Sequence, residues 1–331
     1  MIGCGKRARA AAKGLQADPR CQVAALADLS AEAAESLDKD FGFGAKTYLD
    51  HKELLEKERP EVVVSSLWTG LHLPIFRDCV AAGVKAVLSE KPMAPNWADC
   101  REMARLAESS GCQLTFCHQR RYAPGNLLAR RLIEEGVFGE IRRMDLYAPC
   151  DLLDCGTHSV DQALSFNGET PAKWVIGAVD ASEIGQHFGL NSEKMAYGLI
   201  VFENGVRATI QAKGPDRDMP TGLRVEGANG LLEVRWDGQF GQAVVFDKPE
   251  WQPPELPAHE PVEQMSDVVR DTLDCYERGV EPPLSHRKAL RASEIIYALY
   301  ESARRRRAVE LPLAIDDHPL DAIVREVQGA K

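Results

Sequence analysis

Two stretches of the chain have residue types and spacing suited to holding a nucleotide. Gly3-Cys4-Gly5-Lys6-Arg7-Ala8 follows the spacing Gly-x-Gly-x-x-Ala. The first glycine suits a tight turn, the second admits a pyrophosphate close to the backbone, and the small third residue lets a helix pack near a strand. Such a loop opening a helix aims amide N–H groups and the positive end of the helix dipole at phosphate. Asp28 ends the next predicted strand, about twenty residues on, where a carboxylate accepts both ribose hydroxyls; the competing reading is a helix cap. Asp28 would repel a 2′-phosphate, and the following Leu29-Ser30 offers no arginine to bind one. NAD is therefore favoured over NADP.

Two further clusters could do proton chemistry. Ser89-Glu90-Lys91-Pro92 follows an apolar run, and ligands of open parallel sheets bind at the carboxyl ends of strands. There the Lys91 ammonium can hold a substrate hydroxyl and stabilise its alkoxide character as hydride leaves; the bland alternative is a surface lysine before a turn proline. The second cluster runs from Leu152 to Asp161, entering a helix, with Asp154 and His158 four apart. On a helix they share a face, so the carboxylate can orient the imidazole while the imidazole takes a proton. The alternative is a core histidine and a capping aspartate. Cys150, Asp154, Cys155 and His158 could be read as metal ligands, but no partner pair of ligand spacing occurs elsewhere, so no metal is expected.

These residues need elements to position them. From residue 1 to 120 apolar strands at 23–27, 62–67, 86–88 and 114–116 alternate with helices at 6–15, 31–37, 73–82 and 97–109. That order predicts a parallel sheet covered by helices on both faces. Met1-Ile2-Gly3 stands where a first strand should already be ending, so that strand reads as truncated, with residues upstream of Met1. After a helix at 124–135 the pattern changes. Asn204-Gly205, Asn229-Gly230 and Asp237-Gly238 are hairpin signals flanked by alternating apolar residues, predicting an antiparallel sheet. A proline-rich stretch at 248–261 leads to closing helices at 264–278 and 286–305. The organisation predicted is an α/β domain over 1–120 that binds dinucleotide, and an α+β domain over 121–331.

With 331 residues, two domains are the natural expectation. No apolar run approaches the ~20 residues of a membrane helix, and a net charge of −10 disfavours nucleic acid. The nine cysteines are odd in number and lack paired spacing, which predicts reduced thiols and a cytoplasmic location.

Taken together, Gly3-x-Gly5-x-x-Ala8, Glu90-Lys91-Pro92 and Asp154-x-Gly156-x-His158-x-x-Asp161 resemble, in order and spacing, the signatures of the Gfo/Idh/MocA oxidoreductases. Smaller echoes are His72, Arg120-Arg121-Tyr122-x-Pro124 and Leu311-Pro312-Leu313. The resemblance spans essentially the whole chain. It implies a Rossmann-type domain followed by an open-faced, mostly antiparallel sheet that binds substrate and mediates dimers or tetramers, with the active site between sheet and nucleotide. It implies catalysis by Lys91, Asp154 and His158, and a cis Lys91–Pro92 bond. Cofactor contacts would come from Gly3, Cys4, Gly5, Lys6, Arg7, Asp28, Leu67, Trp68, His72, Glu90 and Lys91. Arg121 and Tyr122 would join the catalytic trio in binding a small polyhydroxylated substrate.

The implied activity is NAD-dependent oxidation of a secondary alcohol of a sugar, inositol or related polyol, or reduction of the matching ketone. The alternatives are an NAD-dependent glycosidase of the same family and a dinucleotide-binding regulator without turnover. Two departures stand out. Leu67 and Trp68 replace the threonine-proline pair usual before the histidine equivalent to His72, and only residues 148–153 separate the strand from Asp154, where relatives carry a longer loop.

Overall fold

The computed structural model describes residues 1–213, 222–256 and 263–329. The chain divides into two units, residues 1–95, 99–119 and 260–290 forming the first and 96–98, 120–259 and 291–331 the second.

The first unit opens with α1 (Ala8–Ala17), β1 (Ala25–Ala27), α2 (Ala31–Phe41), β2 (Lys46–Tyr48), α3 (His51–Glu58) and β3 (Val62–Ser65). It continues through α4 (His72–Ala81), β4 (Ala86–Ser89), α5 (Trp97–Ser110) and β5 (Gln113–Phe116). All its strand pairs are parallel, β1 with β2, β3 with β4 and β4 with β5, as helical crossovers between successive strands require. Ile2 supplies one rung joining the two groups. It bridges Ala27 and Ser65 in parallel; its N–H donates to the Val64 carbonyl and its own carbonyl accepts from Ser66, each at 2.9 Å. Cys4, Ala8 and Ala12 share a buried cluster with Leu26, Ala34 and Leu37, so the small residues of α1 let that helix lie close to β1. The pair β2 and α3 escaped the sequence pattern: β2 is a short strand with no buried residue, and α3 buries only Leu54 and Leu55.

The second unit contains α6 (Pro124–Glu134), β6 (Ile141–Ala148), a π-type turn over Leu152–Gly156, and α7 (Thr157–Phe166). There follow β7 (Ala172–His187), β8 (Leu190–Phe202), β9 (Arg207–Ala212), β10 (Gly222–Gly227), β11 (Gly230–Arg235) and β12 (Phe240–Val245). The chain then gives α8 (Glu263–Arg278) to the first unit and closes with α9 (His286–Arg305), β13 (Val309–Glu310) and α10 (Pro319–Gly329). The sheet has eight strands in the order β12-β11-β10-β6-β9-β8-β7-β13. Its β6–β9 pair is parallel and its other pairs are antiparallel. The three hairpin signals lie where β8 meets β9, β10 meets β11 and β11 meets β12. The longest ribbon, β7–β8, went unread because its turn is Phe188-Gly189, with φ of 49° and 80°, rather than Asn-Gly.

Two expectations change. A single cut at residue 120 assigned 264–278 to the second domain, whereas α8 packs against α1 in the first unit. Met265, Val268 and Val269 are buried there, and Gln113 Nε2 donates to the Thr272 carbonyl at 2.8 Å. Nor are all the thiols reduced, because Cys150 and Cys155 form a disulfide. The pairing is local, closing a single turn, so it leaves none of the long-range spacing of a disulfide framework. Residues 257–261 of the proline-rich stretch lie outside the described residues. Among those described, no helix is long and apolar enough to cross a membrane.

Candidate active site

In the first unit the glycine loop sits between the ends of β1 and β3. Gly3 has φ +84°, and a Cβ there would collide with the Ser66 carbonyl and come within 2.8 Å of Leu67 Cδ2. At Gly5 a Cβ would meet nothing within 4 Å, so the space above the second glycine is open. Asp28 Oδ2 accepts from the Cys4 amide at 2.7 Å, and Oδ1 accepts from the Ser30 amide at 2.9 Å. The helix-cap reading of Asp28 fails, because Ser30 caps α2 by accepting from Ala33 N–H. The Cys4 thiol is buried, and burial followed by the nearby Asp28 charge pushes it up to about 11; its side chain is therefore core. Lys6 and Arg7 stand exposed at the start of α1. An open cradle at the first turn of a helix, with a carboxylate beside it at a strand end, fits a dinucleotide.

The Lys91 loop leaves β4 next to this cradle. Glu90 is buried, and its Oε1 accepts from Arg7 Nε at 2.7 Å. Lys91 is half-buried, and the Lys91–Pro92 peptide is cis. His72 was expected to touch cofactor. Instead it is 1% exposed, with Nδ1 and Nε2 each 3.2 Å from the carbonyls of Met93 and Leu67. It therefore sits between the loop after Lys91 and the loop after β3, its one N–H in the neutral form bonding one of these carbonyls, and burial holds its pKa below the ordinary value. Leu67 is half-buried, while Trp68 is 65% exposed.

In the second unit Asp154 lies on the π-type turn and His158 on the first turn of α7. The turn is built on Asp151, whose carbonyl accepts from Cys155 and Gly156 N–H and whose Oδ1 accepts from Asp154 N–H at 2.7 Å. Ser192 Oγ donates to Asp151 Oδ2 at 2.7 Å, and Leu152 N–H donates to Glu193 Oε1 at 2.7 Å. Glu193 is fully buried and also accepts from Tyr300 Oη; burial raises its pKa. Neither Glu193 nor His187 had a role legible in sequence. His187 Nδ1 lies 2.7 Å from Asp151 Oδ2 and 3.8 Å from Asp154 Oδ2.

His158 is 4% exposed and meets the Trp236 ring edge-on, at a centroid separation of 6.1 Å. Arg120 Cζ lies 3.5 Å from the centroid of the same Trp236 ring, and the guanidinium donates to the Trp236 carbonyl. Trp236 was not anticipated, although it immediately precedes the Asp237-Gly238 turn. That turn is fastened to α6, with Gly125 N–H donating to the Gly238 carbonyl at 3.0 Å. Arg121, expected to bind substrate, is instead buried in a bidentate pair with Asp161, at 2.7 Å for both bonds, and pairs also with Glu169. Its donors are spent on holding α7. Tyr122 is 8% exposed, which leaves its side chain little surface for substrate.

Donor atoms of Cys150, Asp154 and His187 lie within 4.8 Å of one another. With Cys150 in a disulfide, the set lacks the thiolate a soft metal would need.

A parallel sheet with a glycine cradle at its strand ends fits a dinucleotide-binding domain, and the large mostly antiparallel sheet lies in the unit that carries Asp154 and His158. Residues 1–118 match the family model GFO_IDH_MocA, described as the oxidoreductase family's NAD-binding Rossmann fold. D-apiose dehydrogenase of Paraburkholderia graminis is 24% identical, over 94% of this chain and 88% of its own. Trans-1,2-dihydrobenzene-1,2-diol dehydrogenase of Mus musculus is 26% identical, over 88% and 90%. The structure of an NAD binding oxidoreductase from Klebsiella pneumoniae superposes with TM-score 0.81 at 20% identity, covering 95% of this chain and 98% of that one. Over residues 1–118 the chain is thus similar to the NAD-binding domain of the Gfo/Idh/MocA oxidoreductases.

Proposed function

We propose that this oxidoreductase uses NAD to oxidise a secondary alcohol of a sugar, inositol or related polyol, or to reduce the corresponding ketone. The observation that carries the reading is His158, a buried imidazole held against Trp236 one turn beyond Asp154. An imidazole so placed can act as the base that takes a hydroxyl proton. Relatives named as dehydrogenases of apiose and of a dihydrodiol support a vicinal diol or sugar as substrate.

In this reading Gly3, Gly5, Lys6 and Arg7 hold the pyrophosphate, and Asp28 accepts the ribose hydroxyls. Leu67 and Trp68 flank the nicotinamide. When bound, NAD accepts the hydride. Lys91 donates a hydrogen bond to the reacting oxygen and stabilises its developing negative charge. His158 removes the proton, and Asp154 favours the charged imidazolium that results. Exposed Ile176 and Tyr197, on neighbouring strands of the large sheet, support that sheet as the surface for a homodimer or homotetramer.

The test is NAD reduction, followed by absorbance, across a panel of sugars and inositols. Lys91→Ala and His158→Asn should each lower kcat by about 100-fold or more while NAD still binds. If both groups serve one substrate, the double variant loses about as much as either single one. Unchanged turnover in either variant would discard the assignment. NAD binding with no turnover on any substrate would leave a dinucleotide-binding regulator.

A further inference from the structure

We propose that the Cys150–Cys155 disulfide is a redox modification site, opened by small dithiols, whose reduction frees the turn carrying Asp154 and lowers turnover. The effect on turnover rests on the functional reading above; the chemistry of the disulfide does not.

The pair differs from every other cysteine of the chain. The remaining seven form no disulfide, and six of them are buried. Burial pushes Cys4 and Cys112 up to about 11 and Cys79 and Cys117 up to about 12, so they hold almost no thiolate at neutral pH. Cys150 and Cys155 are both partly exposed, so a reductant can reach their bond.

The bond also sits where its loss would be felt. It closes the segment containing the π-type turn, and Asp154 is the residue immediately before Cys155. The polar anchors are concentrated at the start of that turn: Asp151 is held by Ser192, and Leu152 by Glu193. Past Asp154 the Cys155 and Gly156 N–H groups donate to the Asp151 carbonyl, and the disulfide adds a covalent tie. Asp154 Oδ2 lies 3.3 Å from Cys150 Sγ. A disulfide sulfur has no proton to give that carboxylate, whereas a thiol does. Reduction therefore slackens the turn and adds an S–H donor that competes for Asp154.

The exchange is balanced. A dithiol attacks as thiolate, the protein S–S bond breaks through a mixed disulfide, and the second thiol of the reductant closes its own disulfide. Two electrons and two protons pass to Cys150 and Cys155, and an oxidised dithiol reverses the step.

The experiment treats the folded protein with dithiothreitol, alkylates it without denaturant, and locates the labels by mass spectrometry. In parallel, amide hydrogen exchange is followed across residues 150–158, and kcat is measured before reduction, after it, and after reoxidation. We expect labels on Cys150 and Cys155, at least 10-fold faster exchange in that segment, and a reversible drop in kcat of about 10-fold with NAD affinity unchanged. The double variant Cys150→Ser/Cys155→Ser should match the reduced protein and ignore dithiothreitol. Failure to label the pair, or exchange unaltered after labelling, overturns the proposal, as does a kcat indifferent to reduction. Should neither form turn over any polyol, the functional reading fails, while labelling and exchange still judge the redox site.

Discussion

Arg7, in the phosphate loop, and Glu90, immediately before Lys91, form an ion pair with Nε and Oε1 2.7 Å apart. Two motifs 83 residues apart in sequence are thus one piece of structure. Glu90 is nearly buried while Arg7 is 44% exposed, so the pair's direct worth to stability is about 1 kcal/mol or less. Its larger effect is to set the loop that presents Lys91. Glu90→Gln should lower the thermal midpoint by only about 2–4 °C yet reduce kcat/KM by about 10-fold. A variant with full activity would show that Lys91 is held by other contacts.

Asp28 bears on coenzyme choice. A hydrogen bond to a charged group is worth about 1.5–3 kcal/mol, so Asp28→Ser should raise the KM for NAD by about 10-fold or more. It should also narrow the preference for NAD over NADP, because the charge opposing a 2′-phosphate is gone. Paired titrations of the two coenzymes measure both effects. The unsubstituted protein binding NADP more tightly than NAD would contradict the role given to Asp28.

Trp236 packs edge-on to His158 and beneath Arg120. Aromatic pairs of this kind contribute about 0.5–1.5 kcal/mol. Trp236→Ala should therefore lower kcat up to about 10-fold and displace the acidic limb of the kcat pH profile, with NAD affinity unchanged. Trp236→Phe should recover most of the rate, since the edge contact survives. Equal losses in both variants would point to Arg120 as the partner that matters.

His72 predicts a pH dependence of stability. Burial depresses its folded pKa below the ordinary 6.5, so the folded state favours the neutral ring. The stabilisation is complete above pH 6.5 and is lost as pH falls through the depressed value, at up to about 1.4 kcal/mol per pH unit for one proton. His286 and His318 are depressed by burial as well and add to the same slope. Thermal midpoints should fall between pH 7 and pH 5, and His72→Gln should flatten that fall. An identical slope in the variant would assign the acid sensitivity to the other histidines.

Much of this protein was legible in residue order because the relevant signals are local. The Gly3-x-Gly5-x-x-Ala8 turn, the alternation of strands and helices to residue 116, and the hairpins at Asn204-Gly205, Asn229-Gly230 and Asp237-Gly238 each depend on backbone preferences within a few residues. The spacing of Asp154 and His158 likewise marked a helical entry. What it could not convey was the wider π-type turn, which takes its form from side chains on β8 reaching Asp151 and Leu152.

Partnership was the province of tertiary structure. Arg121 and His72 had the chemistry of ligand-binding residues, yet folding spent their polar atoms on Asp161 and Glu169 and on two backbone carbonyls. Trp236 and Glu193 had no role legible in sequence, yet one lies against His158 and the other anchors the turn carrying Asp154. α8 was assigned by its place in the chain and packs instead with α1. Burying a polar group without a partner is costly, so its partner is chosen by whatever the fold brings within about 3 Å. That choice couples residues far apart in sequence, and no local pattern records it.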